Sequence, residues 1–212
     1  MTGKLRIAVF ASGRGSNLKA ILDAIDSGFI PDAQIALVIS NNSDSGALQI
    51  ARSRSIAGLH LSRKQFDSDD SFVRTLLSRL EEHRVNFIVL AGYMKRIPAA
   101  IVQAFRDRII NIHPALLPSF GGPGMYGRFV HEAVIRSGVS FSGATVHVVD
   151  EEYDRGRIIL QRSISLDPGE TPDTLAAKIS SIEHELYPEA IRLIAEGKVI
   201  IGKGHALTES EA

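Results

Sequence analysis

The chain has no cysteine among its 212 residues. Disulfides, thiolate metal sites and cysteine nucleophiles are excluded, and the absence fits a reducing compartment. No surplus charge of either sign exists: 24 Lys and Arg balance 24 Asp and Glu. A protein that holds nucleic acid through its overall field needs a basic surplus, so no nucleic-acid partner is expected. A small anionic substrate needs only a local site and stays open. No apolar run reaches the ~18 residues of a membrane-spanning helix, so no membrane partner is expected. The opening MTGKLRIAVFASG has too short an apolar part for a signal peptide and reads as a first strand. A cytoplasmic location is the expectation. Internal repeats, low-complexity segments and linkers are also missing, which predicts one domain.

Two catalytic signatures are absent as well. No serine stands in a G-x-S-x-G elbow, which weakens a serine hydrolase reading. No H-E-x-x-H occurs, and His131, His147 and His184 are scattered without ligand spacing, so no metal is expected.

What is present is an ordinary globular composition, with 44% hydrophobic and 23% charged residues. Such a length buries a sizeable core without staples. Short apolar runs at Leu5–Phe10, Gln34–Ile39, Phe87–Leu90 and Ile109–Ile112 read as strands buried on both faces. Helical patterns lie between them. Ser16 is placed to cap a helix through LKAILDAID, with Leu18, Ile21, Leu22 and Ile25 on one apolar face. Ser71–Leu80 repeats the spacing with Phe72, Leu76, Leu77 and Leu80. This alternation predicts an α/β fold: an open, mostly parallel twisted sheet with helices on both faces. Near residue 140 the pattern changes. Ala144–Val149 and Ile158–Ile164 are close enough in sequence to form an antiparallel pair in the C-terminal half. A long helix opens at Thr171-Pro172 with Asp173 in its first turn and a stripe of Leu175, Ile179, Ile182 and Leu186; Pro188 is expected to kink or break it. The polar tail GHALTESEA is expected to fray.

Ligands of an open α/β sheet bind beyond the C-terminal strand ends. The first such end reads Ala11-Ser12-Gly13-Arg14-Gly15-Ser16-Asn17-Leu18. Glycines let a backbone turn tightly, and the free amides of a following helix hold phosphate. The same turn also serves as a plain connector. The triphosphate loop needs a lysine that is missing here, and Leu18 stands where the dinucleotide fingerprint wants its third glycine. A single phosphate on a smaller substrate fits better.

The strand ending IINIHPALLPSF carries Asn111 and His113 on one side, two residues apart. An amide donor and an imidazole at a strand end are equipment for stabilising an oxyanion during acyl transfer. A turn-capping asparagine beside a core histidine fits the same spacing. A charged imidazole calls for a carboxylate, and the turn at 150–154 offers Asp150, Glu151, Glu152 and Asp154 without selecting one.

The stretches FASGRGSNLKAI, VLAGYMKRIP, IINIHPALLPSF, HEAVIRSGVSFSGATVHVVDEEYDRGRIILQ and EHELYP together resemble the phosphoribosylglycinamide formyltransferase family. They stand in that family's order and span most of the chain. The resemblance implies a Rossmann-like formyltransferase domain over 1–212, with a phosphate-binding half at about 1–105 and a folate-binding, catalytic half at about 106–212. It implies 10-formyltetrahydrofolate as co-substrate, 5-phosphoribosylglycinamide as acceptor, and no metal. Either a monomer or a homodimer is compatible with it. Asn111 and His113 would be catalytic, with Asp154 the carboxylate that keeps His113 charged and oriented. Gly15, Ser16 and Asn17 would hold the substrate phosphate, and Glu183 the glycinamide end. Met94, Lys95, Arg96 and Ile97 would lie against the pterin, partly through backbone groups, with Asn111 shared.

Two departures stand out. Asp69 occupies a position where many members carry a basic folate-side residue, and Arg63 or Lys64 is the replacement the sequence offers. The loop GGPGMYGRFVHEA is longer than in the shortest members; its glycines suit a moving lid and equally an inert insertion. Related formyl-group enzymes that act on tRNA or hydrolyse the folate would bring extra domains, for which the length leaves no room. A non-catalytic binding module would not need the His–Asp pair.

Overall fold

The computed structural model describes residues 4–199, and the tail expected to fray lies outside them. The chain runs β1 (Leu5–Phe10), α1 (Ser16–Asp26), β2 (Ala33–Ser40), α2 (Gly46–Ser53), β3 (Gly58–His60), α3 (Asp69–Glu82), β4 (Phe87–Leu90), α4 (Ala99–Ala104), β5 (Ile109–His113), α5 (Arg128–Ser137), β6 (Phe141–Val148), β7 (Ile158–Ser165) and α6 (Pro172–Ala195). A 3₁₀ turn over Arg63–Gln65 precedes α3.

The strands form one sheet in the order β3-β2-β1-β4-β5-β6-β7. The first five in that order pair in parallel, and β6 and β7 are antiparallel additions. Strands β1 and β4 are buried nearly throughout because helices cover both faces. One core packs Leu18, Ile21 and Leu22 of α1, Val130 and Val134 of α5, and Leu175, Ile179 and Ile191 of α6. The opposite core packs Phe72, Leu76 and Leu80 of α3 with Ile101 and Val102 of α4. Each such side chain contributes roughly 1.5–3 kcal/mol on burial. That exceeds what a helix cap supplies, about 1 kcal/mol.

Three expectations are corrected. Ser16 is the first residue of α1 and does not cap it; Gly15 takes the cap position in a left-handed conformation without a side-chain bond. Pro188 does not end α6. The backbone bond it forgoes is offset by packing: Leu186, Tyr187, Pro188, Ala190 and Ile191 are all buried. The Tyr187 hydroxyl also donates between the Leu90 and Ile110 carbonyls, at 2.9 and 3.1 Å, which ties this turn to β4 and β5. The long loop after β5 stops at Gly127, because Val130 and Val134 give the next residues a buried face and α5 forms.

Strand β1 lies between β2 and β4, so the chain reverses its direction of travel across the sheet there. The loops leaving β1 and β4 diverge at this switch point and open a crevice at the strand ends. Among the described residues no helix is long and apolar enough to cross a membrane.

Candidate active site

A cavity of about 740 Å³ occupies that crevice. It is walled by the turn after β1, the segment after β4, the end of β5, the loop before α5, the turn after β6 and one face of α6.

The turn after β1 is fixed by close packing. Gly15 has φ +80, and a Cβ there would lie 2.9 Å from Ala47 Cα and 3.0 Å from Ile50 Cδ1. The turn rests on α2, whose Ala47 amide donates to the Gly13 carbonyl at 3.2 Å. No side chain caps α1, so its first amides remain free for a ligand. Asn17 is buried, and its Nδ2 donates to Glu183 Oε2 at 2.9 Å. Asn17 Oδ1 has no protein partner among the described residues. Burial pushes the Glu183 carboxyl up to about 7, against the pull of the Asn17 bond.

Met94, Lys95, Arg96 and Ile97 all line the cavity. The Ser12 hydroxyl holds this segment: it accepts from the Met94 amide at 2.8 Å and donates to Asn41 Oδ1 at 2.5 Å. Arg96 reaches across to the Glu151 carbonyl at 3.1 Å and covers the Tyr153 ring. Arg63 pairs with Asp69, and neither these two nor Lys64 is among the cavity-lining residues. The structure therefore does not bring the offered replacement to the site.

The antiparallel register builds the other wall. Asn111 faces His147 and His113 faces Thr145 across β5 and β6. Thr145 fixes the turn that follows His113: its hydroxyl donates to the Ala115 carbonyl at 2.7 Å and accepts from the Leu117 amide at 3.1 Å. Gln161 on β7 donates to both Thr145 Oγ1 and the Leu117 carbonyl at 2.9 Å. His113 is 3% exposed, and its Nε2–H donates to the Phe120 carbonyl at 2.8 Å. Its Nδ1 stands 3.7 Å from Asp154 Oδ2.

Of the four acids in the turn after β6, geometry selects Asp154. The Asp150 carboxylate accepts from the Glu152 amide and that of Glu151 from Gln103, whereas Asp154 meets both His113 and His147. Gly122 donates its amide to Asp154 Oδ2 at 2.9 Å. Burial alone would push the Asp154 carboxyl up, but His147, the Gly122 amide and His113 together hold it below its ordinary value. Asp154 favours a charged His113, and burial works against it. Burial pushes the imidazole below its ordinary value; Asp154 and Phe120 oppose that without offsetting it, and His147 adds to it.

Two histidines passed over in the sequence also line the cavity. His131 on α5 is buried, with no protein partner at Nδ1 among the described residues. His147 is buried between Asn111 and Asp154. The available signal was the two-residue alternation of Thr145 and His147, meaningful only once β6 is paired with β5. Among the described residues no group of three or more His, Cys, Asp or Glu side chains has metal-holding geometry.

Comparison with known proteins gives a consistent result. The formyl transferase family model matches residues 5–191. The chloroplastic phosphoribosylglycinamide formyltransferase of Arabidopsis thaliana is 43% identical over 92% of this chain and 66% of its own length. The chain thus spans just under two thirds of that plant relative. The phosphoribosylglycinamide formyltransferase of Haemophilus influenzae is 37% identical, over 98% of this chain and 95% of its own. The structure of glycinamide ribonucleotide transformylase 1 from Symbiobacterium toebii superimposes with a TM-score of 0.88 at 38% identity, covering 96% of this chain and 93% of that one. With the sheet order and strand-end cavity already described, these matches establish that the chain belongs to the formyl transferase family.

Proposed function

We propose that the chain transfers the formyl group of 10-formyltetrahydrofolate to the amine of 5-phosphoribosylglycinamide. The products are N-formyl-phosphoribosylglycinamide and tetrahydrofolate, in purine biosynthesis. The observation that carries this reading is the convergence of Asn111, His113 and Asp154 on one wall of a cavity whose far end holds the Gly15–Asn17 turn and Glu183.

The free amides of α1, with Ser16 and Asn17, receive the phosphate. Glu183 receives the glycinamide end. The 94–97 segment, held by Ser12, lies along the pterin. The amine nitrogen then attacks the formyl carbon, and the carbonyl oxygen gains negative charge. Asn111 donates to that oxygen, and His113 turns to it the Nε2–H now held by Phe120. With His113 charged beside Asp154, its Nε2 proton passes to the folate nitrogen as the C–N bond breaks, and the proton released by the amine restores it. On this reading the chain acts as one domain, with the phosphate turn in its first half (about 1–105) and the catalytic trio in its second (about 106–212). The folate segment lies at the seam, and α6 reaches back with Glu183. The reading includes small-molecule substrates alone, a monomer or homodimer, no metal, and a cytoplasmic location.

The test follows the absorbance of released folate from 10-formyltetrahydrofolate, with and without phosphoribosylglycinamide. Turnover that depends on the phosphorylated amine is expected. Release without the amine would make the chain a hydrolase of the formyl-folate, and no release in either condition would overturn the reading.

A further inference from the structure

One buried titratable side chain at the cavity has no part in the reaction as described. His147 stands opposite Asn111 across the β5–β6 pair and is 2% exposed. Its ring nitrogens meet partners of different kinds. Nδ1 lies 2.9 Å from the Val148 carbonyl. A carbonyl only accepts, so Nδ1 carries a hydrogen. A neutral imidazole has a single N–H, which leaves Nε2 as a lone pair.

Nε2 lies 3.1 Å from Asn111 Nδ2 and 3.5 Å from Asp154 Oδ1. An imidazolium bonded to a carboxylate would sit at about 2.7–2.9 Å, so the shorter contact with Asn111 is the hydrogen bond. A lone pair at Nε2 selects the nitrogen end of the Asn111 amide and repels the oxygen end. One hydrogen of that NH₂ group is then held by His147, and the other is left for the cavity. Charging the ring would reverse this choice. An Nε2–H would be drawn to Asp154, would oppose the amide nitrogen donor to donor, and would favour the amide turned oxygen-first. The titratable groups that face the ring are Asp154, from the turn after β6, and His113, from β5.

We propose that His147 is a positioning residue that locks the Asn111 amide nitrogen-first, aiming its second hydrogen at the oxygen of the transferred group. His147 reaches that oxygen through Asn111, and the proposal rests on the formyl-transfer reading for the identity of that oxygen.

The test has a readout that needs no turnover. Nitrogen-15 NMR of the histidine-labelled protein at neutral pH is expected to show His147 protonated at Nδ1 and bare at Nε2; the opposite tautomer overturns the proposal. In steady-state assays His147→Leu should lower kcat about 10- to 100-fold, less than the loss of an oxyanion donor outright. The same change in an Asn111→Ala background should cost far less, because residues acting through one interaction are not additive. Equal losses in both backgrounds would sink the idea. His147→Gln, whose side-chain oxygen accepts from the same Nδ2, should restore most of kcat. If the leucine variant does not fold, the glutamine variant and the tautomer decide. Absence of any formyl transfer by the unaltered protein would defeat the functional reading, while the tautomer would still judge the lock.

Discussion

The two ends of the cavity are built from different materials. At the β1 end, Gly13–Asn17 offers backbone amides and small polar groups, held in place by the close approach of α2. At the β5–β6 end, buried His113 and His147 and half-buried Asn111 and Asp154 offer side chains that stand against one another. A phosphate carries fixed charge throughout a reaction, and preset amides suffice for it. A group whose charge and protonation change needs partners that respond, which backbone amides cannot do. On the proposed reading, the β1 end anchors the substrate, and the seam where parallel β5 meets antiparallel β6 carries the reaction.

Substitutions should divide along the same line. His113→Ala should lower kcat about 10³- to 10⁴-fold, since proton transfer and oxyanion stabilisation go together, with small changes in either KM. Steady-state kinetics with both substrates varied would test this, and a loss carried mainly by KM would erase the distinction. Asp154→Asn should cost less, about 10²- to 10³-fold in kcat, because the imidazole stays in place without its counter-charge. Gly15→Ala should act in the opposite sense. A Cβ 2.9 Å from Ala47 Cα on a backbone at φ +80 should destabilise the fold by roughly 1–3 kcal/mol. The KM for the phosphorylated amine should rise more than kcat falls, and calorimetry beside kinetics would separate the two effects.

The ends also respond to pH with opposite sign. His113 and Asp154 both lie below their ordinary values of 6.5 and 3.8. Their stabilisation is complete above those values and is lost as pH falls through them. Glu183 lies above its ordinary value of 4.5, at about 7. Its protonated form favours the fold at low pH, and that contribution is lost as pH rises from 4.5 to 7. Glu183→Gln should therefore stabilise the free protein by roughly 1–3 kcal/mol near pH 8 and by almost nothing near pH 4.5. Urea unfolding at the two pH values measures the difference, and equal effects at both would remove the contrast.

The sheet's buried strands were legible because continuous apolar runs and period-two alternation are local properties. The short elements β3, α2 and α4 were not, since packing against neighbours rather than their own pattern creates them. Asn111 and His113 were legible as a pair from spacing on one strand. Asp154 was singled out by resemblance, and physically it is set apart from its neighbours by where the turn after β6 returns. His147 was hidden because its partner Asn111 lies 36 residues away, and only strand register joins them.

Phe120, whose backbone sits at φ 57, offers its carbonyl to His113 Nε2. On the proposed reading, an arriving formyl oxygen exchanges one acceptor for another instead of gaining a new bond. For a neutral carbonyl the exchange is nearly even, because like replaces like. Once that oxygen carries negative charge, the bond it receives is roughly twice as strong as the one given up. The peptide group of Phe120 thus acts as a reference acceptor. On that reading it cancels His113's contribution to substrate affinity and leaves a surplus only for the transition state, which lowers the barrier without deepening the well before it.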